Sequence, residues 1–310
     1  MVKMNTIDYV VPMVFADDKH WLRELRQAGS DAVGSNAARY RSWGTEELLI
    51  RCIRKFMPWV RNIYIVLASE SQVQPWMEEY LTGDITSSRD NNITPNVKIV
   101  YHRDFMPRQA LPTFNSRAIE MFLHKIPGIS ERFLYGNDDM FPIAPLYEHH
   151  FFAGNLPCIH MKEKEFPNPP NNFQMACMAG LNFVAEEFGL RFTDTWYKNG
   201  HSIAPILKST CEHLWQRGGE RIMASVSPFR ESRNFNQYIY SWWQYLSGQY
   251  VDYTPERQLI MTYKVDAQDA ARIILDPQVK MVCINDHEKI HDITYYASVV
   301  RDALEKKLEK

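Results

Sequence analysis

"FLYGNDDMF", residues 133–141, runs aromatic and apolar and then turns acidic at Asn137, Asp138 and Asp139. An apolar run of this length reads as a buried strand. Asn and Asp favour turns because their short side chains hydrogen-bond nearby backbone groups, so the acids mark either a plain turn or the polar edge of a site. The flanking segments say what kind of sheet this strand joins. "IDYVVPMVF" (7–15), "NIYIVLA" (62–68) and "VKIVYH" (97–102) are further short β-rich runs. Between them, "TEELLIRCIRKF" (45–56) carries Leu48, Leu49, Cys52, Ile53 and Phe56 at helical spacing, with Thr45 placed as a cap. "PTFNSRAIEMFLHKI" (112–126) reads as a second helix ahead of the opening strand. Strand, helix, strand, repeated, is the rhythm of a largely parallel sheet with covering helices. Ligands of such sheets gather beyond the carboxyl ends of the strands, where His102, Asp104 and Asn137–Asp139 fall.

After about residue 145 the texture changes. "KEKEFPNPPNNF" (162–173) is charged, then rich in Pro and Asn, and reads as a long loop or lid hinge. Helical segments are expected at "SIAPILKSTCEHLWQ" (202–216), "FNQYIYSWWQYLSGQY" (235–250), "DAQDAARIIL" (266–275) and "TYYASVVRDALEKKLEK" (294–310). No repeat of solenoid period is present. The expected organisation is one domain over 1–310: a sheet half to residue 145, a loop or lid insertion over 146–200, and a helical half over 201–310 that completes the site.

Composition narrows the classes. The 310 residues are 45% hydrophobic and 23% charged, ordinary for a globular chain, and large enough to bury a core without staples. A net charge of −2 provides no global field for nucleic acid or an anionic membrane. The scattered Cys52, Cys158, Cys177, Cys211 and Cys283 form no CxxC pair and no even framework, which points to a reducing cytoplasm. The apolar N-terminal run is broken by Asp8 and Pro12 and preceded by a single Lys3, so it reads as a strand and not as a secretory signal. No stretch reaches the roughly 20 apolar residues of a membrane helix, leaving at most peripheral membrane contact. The sequence holds no GxSxG, P-loop, HExxH or GxGxxG. The pair His149–His150 lacks partners at zinc-like spacing and reads as a surface or loop feature.

The combination of segments says more than any one of them. "RSWGTEELLIRCIRKFMPWVRNIYIVLASES", "VKIVYHRDFMP", "LPTFNSRAIEMFLHKIPGISERFLYGNDDMF", "NGHSIAPILKS", "SPFRESRNFNQYIYSWWQYLSG" and "VCINDHEKI" follow in an order that resembles the Stealth family, over roughly residues 7–290. That family includes bacterial capsular polysaccharide phosphotransferases and the animal lysosomal-enzyme N-acetylglucosamine phosphotransferase. The fold implied is α/β, a Rossmann-like, largely parallel nucleotide-sugar-binding sheet with covering helices and a more helical second half.

The resemblance implies transfer of a sugar-1-phosphate from a nucleotide sugar, such as UDP-N-acetylglucosamine, to a hydroxyl of a glycan or lipid-linked saccharide, with UMP leaving. His201 and Arg230 match the family's histidine and arginine, one suited to take the acceptor proton and the other to grip phosphate oxygens. Glu120 belongs by resemblance to the active centre. Asp138 and Asp139 are candidates for a metal bridge through Mg2+ or Mn2+ or for direct proton acceptance, and an extended backbone would point them to opposite faces while a turn lets both converge. Asn285 and Asp286 follow a second apolar run and are assigned to the same pocket as nucleotide or metal contacts. Asn115, Arg117, Asn137 and Asp17 complete the expected substrate contacts. The first signature departs from the family's "VYTWVNGSDP", reading "VVPMVFADDKHW", so Asp17 or Asp18 stands in for the usual acid; "ASESQVQP" replaces "TNGQxP". Two other functions fit the residues less fully: a metal-dependent glycosyltransferase releasing UDP, and a non-catalytic saccharide-binding module built on the aromatic residues.

Overall fold

The structure is a computed structural model that describes residues 6–29, 40–81, 95–200, 202–253, 258–260, 265–286 and 290–309. In chain order its strands are β1 (Ile7–Pro12), β2 (Asn62–Leu67), β3 (Asn96–Tyr101), β4 (Arg132–Tyr135), β5 (Met140–Pro142), β6 (Phe152–Ala153) and β7 (Leu156–Ile159). They continue as β8 (Met161–Glu165), β9 (Thr195–Asn199), β10 (Ala204–Leu207), β11 (Val251–Asp252), β12 (Gln258–Ile260) and β13 (Met281–Ile284).

The central sheet runs β10-β4-β1-β2-β3. β1 pairs in parallel with β2 and β4, and β2 with β3. β10 closes the edge antiparallel to β4. Both faces of this sheet are covered, which is why the inner strands β1, β2 and β4 are apolar beyond their amino ends, while the edge strand β3 keeps Asn96 and Lys98 exposed. Ile7, Tyr9 and Val11, with Ile63, Ile65 and Leu134, face one core, while Val10, Tyr64, Val66, Phe133 and Tyr135 face the other. At the amino ends the fully buried Asp8 is neutralised by Arg61 at 2.9 and 2.5 Å and accepts from Asn62 at 2.9 Å and the Ser130 amide at 2.8 Å, stapling β1, β2 and the approach to β4. Removing Arg61 would leave the buried Asp8 carboxylate without its counter-charge, which is destabilising.

A second sheet, β12-β13-β5, adjoins the first through the turn after β4. The helix Glu46–Phe56 packs on β5 and on the last helix, Ile293–Glu309. Small pairings join β11-β7-β6 and β8-β9. Among the described residues no helix is long and apolar enough to cross a membrane.

Several expected elements differ. "PTFNSRAIEMFLHKI" is not one helix: a five-residue helix, Ser116–Glu120, gives way to a 3-10 turn at Leu123–Lys125. The Met121 carbonyl accepts from Trp215 Nε1 at 2.9 Å and from Tyr240 Oη, so tertiary donors replace the amides that would continue the helix. "SIAPIL" is the strand β10 and only then a helix, Lys208–Ser225; Pro205 fits there because β10 is an edge strand. The 146–200 stretch holds strands β6 to β9 and a 14-residue helix, Asn172–Ala185, whose Cys177, Leu181, Phe183 and Val184 are core. The charged "KEKE" is tolerated in β8 because that strand lies in an exposed two-stranded ribbon with β9. Thr45 stands at the cap position of Glu46–Phe56 but makes no capping hydrogen bond.

Candidate active site

The carboxyl ends of β1, β2, β3 and β4 open into one cavity of about 330 Å³, lined successively by Pro12–Val14, Ala68, His102, and Tyr135 with Asn137–Asp139. In a β3-β2-β1-β4 order the chain switches direction between β1 and β4, and the crevice there is where an open α/β sheet holds its ligand.

The acids reach it through a turn whose geometry rests on Gly136. Its amide donates to the Val10 carbonyl at 3.1 Å, and a Cβ built on it would lie 2.0 Å from Tyr9 Oη. Only glycine lets the backbone cross that ring. The Met140 amide then donates to Asn137 O at 3.1 Å, and the Ile284 amide to Asp139 O at 2.8 Å, which joins β5 to β13. Asn137, Asp138 and Asp139 therefore all line the cavity, and the two acids converge because the chain turns where an extended strand would have split them. Asn285 and Asp286 arrive from the end of β13, and Asn285 Nδ2 donates to Asp139 Oδ2 at 2.8 Å.

Burial pushes the Asp138 carboxyl up to about 7, with the neighbouring charges of Asp139 and Glu46 adding to it and Arg230 opposing. It thus exchanges its proton near neutrality. His102, buried in the same wall, is pushed down to about 4 and is a neutral imidazole at pH 7.

Arg230 also faces the cavity, its Nη2 donating to Ser116 Oγ at 2.8 Å. It rides on a loop, 226–237, gripped from behind by Asn115 and Arg117, expected from the sequence to touch substrate, and by Glu120, expected in the active centre. Asn115 is fully buried, and its Nδ2 donates to the carbonyls of Ser227 and Phe229, each at 3.1 Å, and to Asn234 Oδ1 at 3.0 Å. Its Oδ1 caps the Arg117 amide at 3.1 Å. Arg117 donates to the Glu231 carbonyl at 3.1 Å and lies over Phe173. Glu120 accepts from Tyr135 Oη at 3.0 Å and from the Gln237 amide at 2.8 Å, while burial raises its carboxyl above the usual range and these hydrogen bonds oppose the rise. Asn115, Arg117 and Glu120 are thus not among the cavity-lining residues: they hold the loop that presents Arg230.

Asp17 is exposed and does not line the cavity. Its neighbour Asp18 caps the helix Lys19–Gln27 and accepts from Ser71 Oγ at 2.5 Å and Gln72 Nε2 at 2.9 Å. The buried Gln72 also clasps both backbone polar groups of Phe15, at 2.7 and 2.9 Å, so this atypical first loop is held by side chains from the end of β2. Asp104 bonds the Tyr101 amide at 2.7 Å and is likewise absent from the cavity wall. His201 lies outside the described residues.

The structure adds residues that the sequence reading did not single out. Arg41 grips Asp286 with Nε–Oδ2 at 2.7 Å and Nη2–Oδ1 at 2.5 Å. Glu46 lines the cavity from the first turn of its helix. Trp21, Tyr40 and Phe114 form an aromatic wall, with ring centroids 5.1 Å (Trp21–Tyr40) and 5.5 Å (Trp21–Phe114) apart. Arg41 and Glu46 both lie in "RSWGTEELL", whose resemblance to the family was the available signal.

A divalent cation is the group this wall must be tested against. Among the described residues no three His, Cys, Asp or Glu side chains converge as a cage. Mg2+ does not require one, since it commonly binds through one or two carboxylates plus substrate phosphates. Asp138 and Asp139 fit that mode: they are adjacent acids in one cavity, each raising the cost of charging the other, a cost that a cation removes.

A profile of the family described as "Stealth protein CR2, conserved region 2" matches residues 39–158, which carry β2, β3, β4 and the acidic turn. Capsular polysaccharide phosphotransferase cps1A of Actinobacillus pleuropneumoniae is 30% identical over 263 residues, covering 80% of this chain and 67% of its own length. Capsular polysaccharide phosphotransferase WcwK of Streptococcus pneumoniae is 28% identical over 325 residues, 93% of each protein. The capsular polysaccharide phosphotransferase of Neisseria meningitidis serogroup B is 29% identical, covering 85% and 70%. Solved structures are more distant: mouse Xyloside xylosyltransferase 1 in its apo form aligns over 90% of this chain and 98% of that one with a TM-score of 0.41 and 11% identity, a distance at which the likeness says nothing of activity. With the second signature region matched and a relative at 30% identity spanning four-fifths of the sequence, the chain belongs to the Stealth family of phosphotransferases.

Proposed function

We propose that the enzyme moves a hexose-1-phosphate, for example N-acetylglucosamine-1-phosphate, from a UDP-sugar to a hydroxyl of a glycan or lipid-linked saccharide in capsule or exopolysaccharide synthesis. The acceptor oxygen forms a bond to the sugar-proximal phosphorus, the phosphoanhydride bond breaks, and UMP leaves with the bonding electron pair. The acceptor proton passes to a base of the enzyme.

The observation that carries this reading is the convergence of Asp138 and Asp139 in one cavity with the exposed guanidinium of Arg230. A carboxylate facing the cavity suits proton removal, and a planar cation suits the phosphate oxygens on which charge develops. His201, matched by resemblance, is the second candidate base. A bound Mg2+ or Mn2+ would supply further charge neutralisation at the phosphate. Asp139 is the residue that would hold it, with Asp138 adjacent; Asp286, expected from the sequence to share that task, has both oxygens engaged by Arg41.

The test is a nucleotide-sugar screen read by mass spectrometry for product and released nucleotide together. Phosphodiester and UMP are expected, and release of UDP alone overturns the reading in favour of glycosyl transfer. Arg230→Ala should lower kcat/KM by roughly a hundredfold or more with the fold intact. The variants His201→Ala and Asp138→Asn separate the two bases, because the one that removes the base also abolishes the acid limb of the pH–rate profile.

A further inference from the structure

We propose that Arg41 is a phosphate-binding residue of this cavity, held by Asp286 in the ligand-free enzyme and handed over to the donor's diphosphate on binding. This rests on the reading of the donor as a nucleotide sugar.

The pair is fork to fork, with both Asp286 oxygens accepting from one edge of the Arg41 guanidinium at 2.7 and 2.5 Å. Its two members are not equally placed. The Arg41 side chain is 32% exposed and the Asp286 side chain 10%, so the cation is the accessible partner and the carboxylate the sheltered one. Both line the cavity. A phosphate presents the same two-oxygen edge as a carboxylate with more charge, so it competes for the same fork.

Charge balance shows why that competition matters. Among the described residues the cavity is lined by four carboxylates, on Glu46, Asp138, Asp139 and Asp286, against the guanidinium groups of Arg41 and Arg230. With Arg41 engaged by Asp286, an incoming diphosphate meets three other acids and Arg230. Turning Arg41 to the phosphate supplies a second cation. The same exchange leaves the sheltered Asp286 carboxylate without its partner, which is costly unless a divalent cation replaces the guanidinium. Asp286 stands directly after Asn285, which is bonded to Asp139, so the released carboxylate joins the acids that would hold such an ion. The pair thereby couples donor binding to cation binding.

The experiment is calorimetric titration of UDP into the intact protein and into Arg41→Gln, Arg41→Lys and Asp286→Asn, each with and without Mg2+. Expected is that Arg41→Gln weakens UDP binding in Mg2+ by roughly tenfold or more, the weight of a charge-assisted hydrogen bond, with Arg41→Lys between it and wild type. Asp286→Asn is expected to bind UDP more tightly than wild type when Mg2+ is absent, because the competitor for the fork is gone. A pair that only fastens the fold predicts the opposite: Asp286→Asn and Arg41→Gln both weaken binding and both lower the melting temperature. That result overturns the proposal. If Arg41→Gln does not fold, Arg41→Lys and Asp286→Asn decide the matter with the same signs. Should wild type bind no UDP under either condition, the nucleotide donor reading fails. The same titrations with inorganic pyrophosphate then test Arg41 alone, and absence of a gain in Asp286→Asn sinks it.

Discussion

Asp138→Asn keeps the side chain's shape and removes its charge, and it should make the ligand-free protein more stable while disabling it. The Asp138 carboxyl stands at about 7 against 3.8 for an ordinary aspartate. At about 1.36 kcal/mol for each tenfold in proton affinity, carrying the ionised group costs the fold roughly 4 kcal/mol at pH 8, and cavity water reduces this to about 2–4 kcal/mol. The sign follows from the direction of the shift. A carboxyl raised in the folded state binds its proton more tightly there than in the unfolded chain, so the penalty is small below about pH 4, grows between 4 and 7, and is complete above 7. Urea unfolding of wild type and Asp138→Asn at pH 8 and pH 5 measures it. The variant should gain about 2–4 kcal/mol at pH 8 and less than half as much at pH 5. Asp139→Asn and Glu46→Gln, which each remove a charge pushing Asp138 upward, should flatten the wild-type dependence without abolishing it. Equal gains at both pH values, or a loss at pH 8, would refute the argument that burial and like charge hold this carboxyl in its raised state.

Asn115→Ala strips three hydrogen bonds from the loop carrying Arg230 and should cost about 2–3 kcal/mol of stability in urea unfolding. In the folded variant kcat should fall, and adding Arg230→Ala should cost little more, since a double-mutant cycle registers two residues acting through one geometry; full additivity would show that Asn115 does not position Arg230. Gly136→Ala forces a Cβ to within 2.0 Å of Tyr9 Oη, and should destabilise by about 1–3 kcal/mol or more in thermal melts. Tyr9→Phe in that background should restore part of the loss, because Tyr9 Cζ remains 2.8 Å away; no restoration would place the strain elsewhere.

The central strands were legible because a parallel strand buried on both faces is apolar along most of its length, and "NIYIVL" and "IDYVVP" are so apart from Asn62 and Asp8 at their amino ends. The helices Glu46–Phe56, Ala267–Leu275 and Ile293–Glu309 announced themselves by periodicity for the same kind of reason, one face against a core. Elements whose limits depend on distant partners were not legible. The helix starting at Ser116 stops where Trp215 and Tyr240 donate to the Met121 carbonyl, and nothing within "AIEMFLHK" signals those donors. The "KEKE" segment becomes a strand because β9, some thirty residues on, offers it a ladder.

The site divides along the same line. Local sequence determined that an acidic turn follows β4, that Asn285 and Asp286 follow another apolar run, and that Arg230 belongs with them through the family's signatures. Only the tertiary structure decided that Asp138 and Asp139 both face the cavity, because that depends on Gly136 crossing the Tyr9 ring and on β13 pairing with β5. It also set Asn115, Arg117 and Glu120 behind the Arg230 loop, more than a hundred residues away along the chain, and brought Arg41 to Asp286 across 245 positions. Sequence spacing limits which residues of one segment share a face. Which segment's charge neutralises another's is settled by packing, through hydrogen bonds that form between residues far apart in the chain.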